Sequence, residues 1–309
     1  MANRTNAAYN GRLTNYAFGL SQDLSSALAE FIAPTIVVPA TIGQYKKYDD
    51  KSAFQVYDTS RAVGGPATRL KFESSDPFYN CKPQALECPV DDSERDAAGD
   101  SGVAQQALDE SKVQTLLSGA TVSHEDKVIA AIKAAVSAVG AVGVWSNAAN
   151  NDPISEIDAQ IKAIALASGR MPNRIVFGLG AWSYFRSHSK VLARFPNAAL
   201  VGVTEQQATG ILLNPSMDIR IGVLSKDTKF GVAASKTNVV GDEVFIFYAQ
   251  SNPTIYDPTF AKTFTGKRGG VTAVRTYRDE QARSDIHAMD WSEDIQVVST
   301  TLVRRITIT

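Results

Sequence analysis

Leu24, Leu28 and Phe31 are spaced by four and three, which places them on one face of a short helix over residues 22–32. Pro34 ends that helix, because a proline ring clashes with the preceding turn. The next stretch, PTIVVPATI over 34–42, lies between prolines and reads as extended. Its Ile36, Val37, Val38 and Ile42 need cover from elsewhere. The first 40 residues thus promise little core of their own and predict an arm laid across a neighbour.

Residues 54–90 are punctuated by Gly64-Gly65-Pro66, Asp76-Pro77, Lys82-Pro83 and Cys88-Pro89, all turn formers. Between them, Leu70 and Phe72 alternate with Arg69, Lys71 and Glu73 at strand period, and QALECPV alternates less cleanly. The pattern predicts a long two-stranded hairpin. An isolated hairpin is marginal in water, so this one should pack on its own body or on another chain. Phe78 and Tyr79 lie on its flank.

Farther on, Val103, Ala107, Val113, Leu116 and Leu117 form a helical stripe that Ser118-Gly119 should interrupt. Ser123 and Asp126 resemble a capping box opening a second helix. That helix carries Val128, Ile129, Ile132, Val136 and Val139 on its apolar face and ends at Gly140 and Gly143. Asp152 and Pro153 suit the cap and first turn of a third helix, with Ile154, Ile157, Ile161, Ile164 and Leu166 as its buried stripe and Gly169 as its stop. RIVFG at 174–178 reads as a buried strand, and AWSYFRSHSKVLARF as one short helix and a turn of another. TEQQATGIL is a short helix, and DIRIGVLS and EVFIFYAQ are strands, the second central. From residue 270, GVTAVRTYR, SDIHAM, EDIQVVS and LVRRITIT alternate and should pair antiparallel.

Hydrophobic residues make up 44% of the 309 and charged residues 20%, which describes a foldable chain with room for uncharged interfaces. Net charge is −1, with 31 basic against 32 acidic residues. Tight sequence-independent hold on nucleic acid needs an excess of cations, so any DNA contact should be weak. Cys81 and Cys88 read as two reduced thiols, not as a disulfide framework. The N-terminus lacks a secretory signal pattern, and the apolar stretch Ile129 to Trp145 falls short of a bilayer span. No membrane association and synthesis in a cytoplasm are expected.

The order of elements resembles the tailed-bacteriophage major capsid protein family, of the Hong Kong ninety-seven type and shared with encapsulins. Three stretches carry it: AEFIAPTIVVPATIGQYKKYD (29–49), RAVGGPATRLKFESSDPFYNCKPQALECPVDDSERDAA (61–98) and IDAQIKAIALASGRMPNRIVFGLGAWSYFRSHSKV (157–191). They look like the arm, the extended loop entering a spine helix, and a peripheral helix leading to a buried strand and a Trp-containing helix. The resemblance implies an α+β fold divided into an N-terminal arm (1–50), an extended loop (51–95), a spine helix with peripheral domain (96–199), an axial domain (200–255) and return strands (256–309). It implies self-assembly as hexamers and pentamers of an icosahedral shell around double-stranded DNA, a portal protein as partner, and residence in the virion after synthesis in a host bacterium. The arm begins almost at once, so scaffolding is expected from a separate protein. Ile36, Val37, Val38, Ile42, Leu70, Phe72, Phe78 and Tyr79 are the candidate intersubunit contacts. Lys71 and Lys82 lie in the loop, but no acceptor and acid can be matched to them for a cross-link.

Catalytic, metal and cofactor chemistry finds no footing in the sequence. His124, His188 and His287 share no ligand spacing and read as surface or cap residues. Gly178 and Gly180 sit between strand and helix as in a dinucleotide site, but the third glycine is missing. GKRGG at 266–270 lacks the Walker lysine pattern and reads as a hairpin turn, with Lys262, Lys267 and Arg268 as a small basic spot. The rival readings are an encapsulin-like compartment, an α/β enzyme sharing the element order, and another phage structural or adhesion protein.

Overall fold

A computed structural model describes residues 8–23, 27–48, 56, 58–61, 63–65, 67–69, 74–140, 145–146, 151–195, 203–227, 235–266 and 273–308. In chain order the first elements are β1 (Ala8–Tyr9), α1 (Gly11–Asp23), α2 (Ala29–Ile32), β2 (Thr35–Val38), β3 (Ile42–Gln44), β4 (Lys47–Tyr48), β5 (Ser74–Ser75), β6 (Phe78–Asn80) and β7 (Lys82–Asp91). Then come α3 (Asp92–Ala98), α4 (Gly102–Ala135), β8 (Ala138–Gly140), α5 (Pro153–Ser168), β9 (Arg174–Gly178), α6 (Leu179–Ser187), α7 (Ser189–Leu192) and α8 (Glu205–Ile211). The remainder is strand: β10 (Asp218–Gly222), β11 (Ser225–Lys226), β12 (Thr237–Asn238), β13 (Glu243–Phe247), β14 (Ala261–Gly266), β15 (Val274–Asp279), β16 (Ser284–Val297) and β17 (Val303–Thr307).

Two sheets organise these elements. One has the order β10-β9-β13-β17-β8, with β13 central and nearly all apolar, as its sequence predicts. Ile154, Ile157, Ile161 and Ile164 of α5 bury against one face of this sheet, with Trp182 and Phe185 of α6. Leu166 is instead exposed, one position off the stripe. Asp152 caps α5 by accepting from the Ile154 N–H, and Gly169 closes it at positive φ. The sheet draws strands from both sides of the expected boundary at 199/200 and recruits β17 from the C-terminus, so that boundary runs through it. The other sheet runs β1-β15-β16-β14-β2, with β7 on the opposite side of β16. SDIHAM and EDIQVVS belong to one unbroken strand, β16.

The expected break at Ser118-Gly119 does not occur: α4 is one helix of 34 residues. Val113, Leu116, Leu117 and Ala120 bury against β15 and β16, and Val128, Ile129 and Ile132 bury against the first sheet. Cover on both sides of Gly119 outweighs the modest helix penalty of one glycine. Ser123 is interior rather than a cap, and the helix stops at Ala135, short of Gly140. Gly143 lies outside the described residues.

The first 40 residues carry more core than their sequence promised. Leu13 and Ala17 of α1 bury against α4, and Leu28, Ala29, Phe31, Ile32 and Ala33 join the core between α4 and the first sheet. Leu24 lies outside the described residues. β2 adds to β14 in parallel, and β1 to β15 antiparallel.

The hairpin is also paired differently. Its legs are residues 42–48 and 74–80, joined as β3 with β6 and β4 with β5. QALECPV lies in β7 and pairs with β16. Lys82-Pro83 and Cys88-Pro89 are therefore strand positions, not turns, which proline tolerates only where its missing N–H faces away from a ladder.

Candidate assembly interface

The ribbon formed by β3 and β6 has two unlike faces. Gly43 opposes Tyr79, and Ile42 and Gln44 oppose Asn80 and Phe78. Side chains alternate along a strand, so Tyr79 lies on one face and Ile42 and Phe78 on the other. Tyr79 stacks on Phe264 of β14 with centroids 4.7 Å apart, and Tyr45 stacks on the same ring at 5.4 Å. Gly43 makes this possible, since a Cβ there would fall 2.3 Å from the Tyr79 hydroxyl. Burial raises the pKa of both phenols and of the adjacent Cys81 thiol, which is free.

Polar contacts fix the same root. The Asn80 N–H donates to Asp294 Oδ2 at 2.7 Å, and the Cys81 N–H to the Thr41 carbonyl at 2.8 Å. Lys46 and Asp76 pair across the legs at 2.7 Å. One face of the ribbon is thereby welded to the body, and the other faces outward.

The eight sequence-predicted contacts divide accordingly. Ile36, Val38 and Tyr79 are buried within their own chain. Val37 is 67% exposed, Ile42 63% and Phe78 67%. Leu70 and Phe72 lie outside the described residues, as do Lys71, Lys267 and Arg268. Cross-strand geometry makes Ile42 and Phe78 diagonal neighbours on the ribbon's outer face.

The middle of α4 ties this region to the rest of the body. His124 Nδ1 and Lys127 Nζ sit 2.7 and 2.6 Å from the two carboxylate oxygens of Glu293 in β16. Lys127 also donates to Gln84 of β7 at 2.9 Å. Burial opposes the Glu293 charge, but hydrogen bonds and positive charge from His124 and Lys127 hold its pKa down at about 2. Asp126 pairs with Lys226 of β11. Glu125, fully buried, accepts the Leu28 N–H at 2.7 Å through Oε2, while its Oε1 has no partner among the described residues. Burial pushes its pKa up to about 6, against the pull of that bond and of His124. Four consecutive residues thus clamp four separate segments.

The sequence also suggests chemistry that the structure assigns to packing. Lys262 is not part of a surface basic spot. It is fully buried, donating to the carbonyls of Thr254 and Asp257 at 2.7 Å and pairing with the Asp257 carboxylate at 3.0 Å. His287 is buried rather than at the surface. Its Nε2 lies 3.1 Å from Asp109 and its Nδ1 3.2 Å from the Thr276 hydroxyl, and Asp109 is shared with Arg95 at 3.1 Å. His188 does cap a helix, accepting the Lys190 N–H. Gly178 and Gly180 make room for the Gly241 carbonyl and the Asp242 carboxylate, so the protein's own acid fills the helix N-terminus where a phosphate would sit. Among the described residues, no group of His, Cys, Asp and Glu could hold a metal ion, and no helix is long and apolar enough to cross a membrane.

No family model matches the sequence, and no curated protein matches it. Solved structures do match in shape. A phage-related protein from Bordetella bronchiseptica superimposes over 98% of both chains with a TM-score of 0.75 and 22% identity. The mature capsid of bacteriophage PhiM1 matches over 90% of this chain and 86% of that chain, at a TM-score of 0.53 and 12% identity. An encapsulin complex from Synechococcus elongatus matches over 92% and 88%, at 0.50 and 10%. The α+β fold is therefore the one that phage capsid proteins share with encapsulins.

Proposed function

From that shared fold, we propose that the chain is a major capsid protein whose copies assemble as hexamers and pentamers into an icosahedral shell enclosing double-stranded DNA. The observation that carries this is the two-faced ribbon. Its inner face is fixed to its own body by the Tyr79–Phe264 stack, and its outer face leaves Ile42 and Phe78 uncovered. Exposed apolar side chains on a rigid support suit an interface core, where charge is depleted. Val37 extends the set. The partner is a further copy of the chain, because a shell closes only when each contact repeats by rotation.

A separate scaffolding protein and a portal protein complete the proposed assembly, which resides in the virion after synthesis in the host cytoplasm. The balanced charge suits weak contact with DNA. The protein acts by assembly rather than catalysis. In the Thr276–His287–Asp109 alignment the imidazole is buried and the acid is engaged by Arg95, an arrangement that suits packing.

Electron microscopy of the expressed chain, alone and with candidate scaffolding proteins, tests the proposal. Uniform shells, tubes or capsomer rings are expected, and I42S with F78S should abolish them while subunit unfolding stays unchanged. A protein that remains monomeric under all conditions overturns it. Nuclease-protected DNA in particles from infected or lysogenic cells separates a genome shell from an encapsulin-like compartment.

A further inference from the structure

The corner between β7 and the packed part of α4 has no core of its own. No side chain of residues 92–112 is buried, and none joins an apolar cluster among the described residues. The first buried residue of α4 is Val113. Ser101, at the N-cap of α4, makes no side-chain cap bond. About three uncapped helical turns without an apolar anchor are marginal in water.

Charge holds this corner instead. The Arg278 guanidinium of β15 donates to both carboxylate oxygens of Asp92 at 2.6 Å. Arg95 bridges Asp109 of α4 at 3.1 Å and Asp285 of β16 at 3.0 Å. Lys112 pairs with Glu94 at 2.7 Å, and Arg12 of α1 with Glu110 at 3.2 Å. The Gln105 amide donates to the carbonyls of Arg95 and Gly99 at 2.8 Å, which fastens α3 to α4. His287, which meets Asp109 at 3.1 Å, is buried, but the charged side chains of these pairs remain 16–46% exposed. Such pairs weaken as salt is added, because the screening length falls from about 10 Å at 0.1 M to about 3 Å at 1 M. The apolar burial that holds α4 from Val113 onward is not screened.

We propose that residues 92–112 form a salt-released strap: high ionic strength opens α3 and the first turns of α4 as one unit, while β7 and the rest of α4 stay folded. The shape of this corner is then set by the ionic conditions around it. The device belongs to the single subunit and does not depend on how copies associate.

Hydrogen exchange on the full-length chain, as unassembled subunits in about 0.1 M and about 1 M sodium chloride, tests this. Each exposed pair is worth about 1.5- to 5-fold in an equilibrium constant. Weakening several together should lower the protection of peptides within 92–112 by about tenfold. Peptides within 113–132 should keep theirs. Arg95→Met and, separately, Arg278→Met should lower protection across the whole segment at low salt and flatten its salt dependence. Protection of 92–112 that persists at the higher salt overturns the proposal. So does a loss shared equally by 113–132, or a pair of variants that exchange like wild type.

Discussion

Glu125 offers the sharpest test of the energetics in the centre of α4. Its carboxylate is fully buried, with one oxygen bonded to the Leu28 N–H and the other unpartnered among the described residues. Its pKa rises from 4.5 to about 6. A raised pKa means that the folded state binds the proton more tightly than the unfolded chain does. The group's contribution is therefore most favourable below pH 4.5 and is lost as pH rises through 6. A shift of that size corresponds to about 2 kcal/mol at neutral pH. Glu125→Gln keeps an acceptor for Leu28 and removes the buried charge, but leaves an amide without a partner, which costs on the order of 1 kcal/mol. The variant should therefore be more stable than wild type by about 1 kcal/mol at pH 7.5. The advantage should vanish by pH 4.5. Denaturant midpoints of unassembled subunits at pH 7.5, 6 and 4.5 measure this, and groups common to both proteins, Glu293 among them, cancel in the difference. An E125Q variant less stable than wild type at pH 7.5, or a gap that ignores pH, refutes the reasoning.

Two further substitutions probe the ribbon root and the buried cation. Gly43→Ala pushes Tyr79 off Phe264 and should cost about 1–3 kcal/mol, visible as a lower melting temperature and altered near-ultraviolet circular dichroism. Lys262→Met removes the cation from the largely buried Asp257 carboxylate, which keeps only its bonds from Thr254 and Thr259, and should cost about 3 kcal/mol. Adding Asp257→Asn should recover part of that loss in the same melting assay.

Local chemistry made part of this fold legible. The Asp152-Pro153 start, the isoleucine stripe and the Gly169 stop of α5 all operate as read, because each rests on contacts within a few residues. The long-range pairings did not show. Pro83 and Pro89 look like turn residues until β16 is seen to occupy only one side of β7. Gly119 looks like a break until both halves of α4 are seen to be covered. Leu13, Tyr16 and Ala17 carry the helical spacing of α1, but polar neighbours dilute it. At the candidate interface, the sequence marks apolar residues without saying which are spent internally. Ile36 and Val38 go to the body while Val37 between them does not, and only the placement of β2 beside β14 decides it. Lys262 reads as a surface cation because nothing local announces the carbonyls of Thr254 and Asp257 that receive it.

The stack of Tyr45 and Tyr79 on Phe264 has a mechanical consequence. Phe264 belongs to a strand hydrogen-bonded between β16 and β2, and Asp294 of β16 grips the ribbon's backbone directly. The ribbon's root is thus bolted at its fulcrum by ring and backbone contacts to two strands. A small tilt of that sheet is therefore carried into the ribbon's legs at residues 42–48 and 74–80 rather than absorbed at their root.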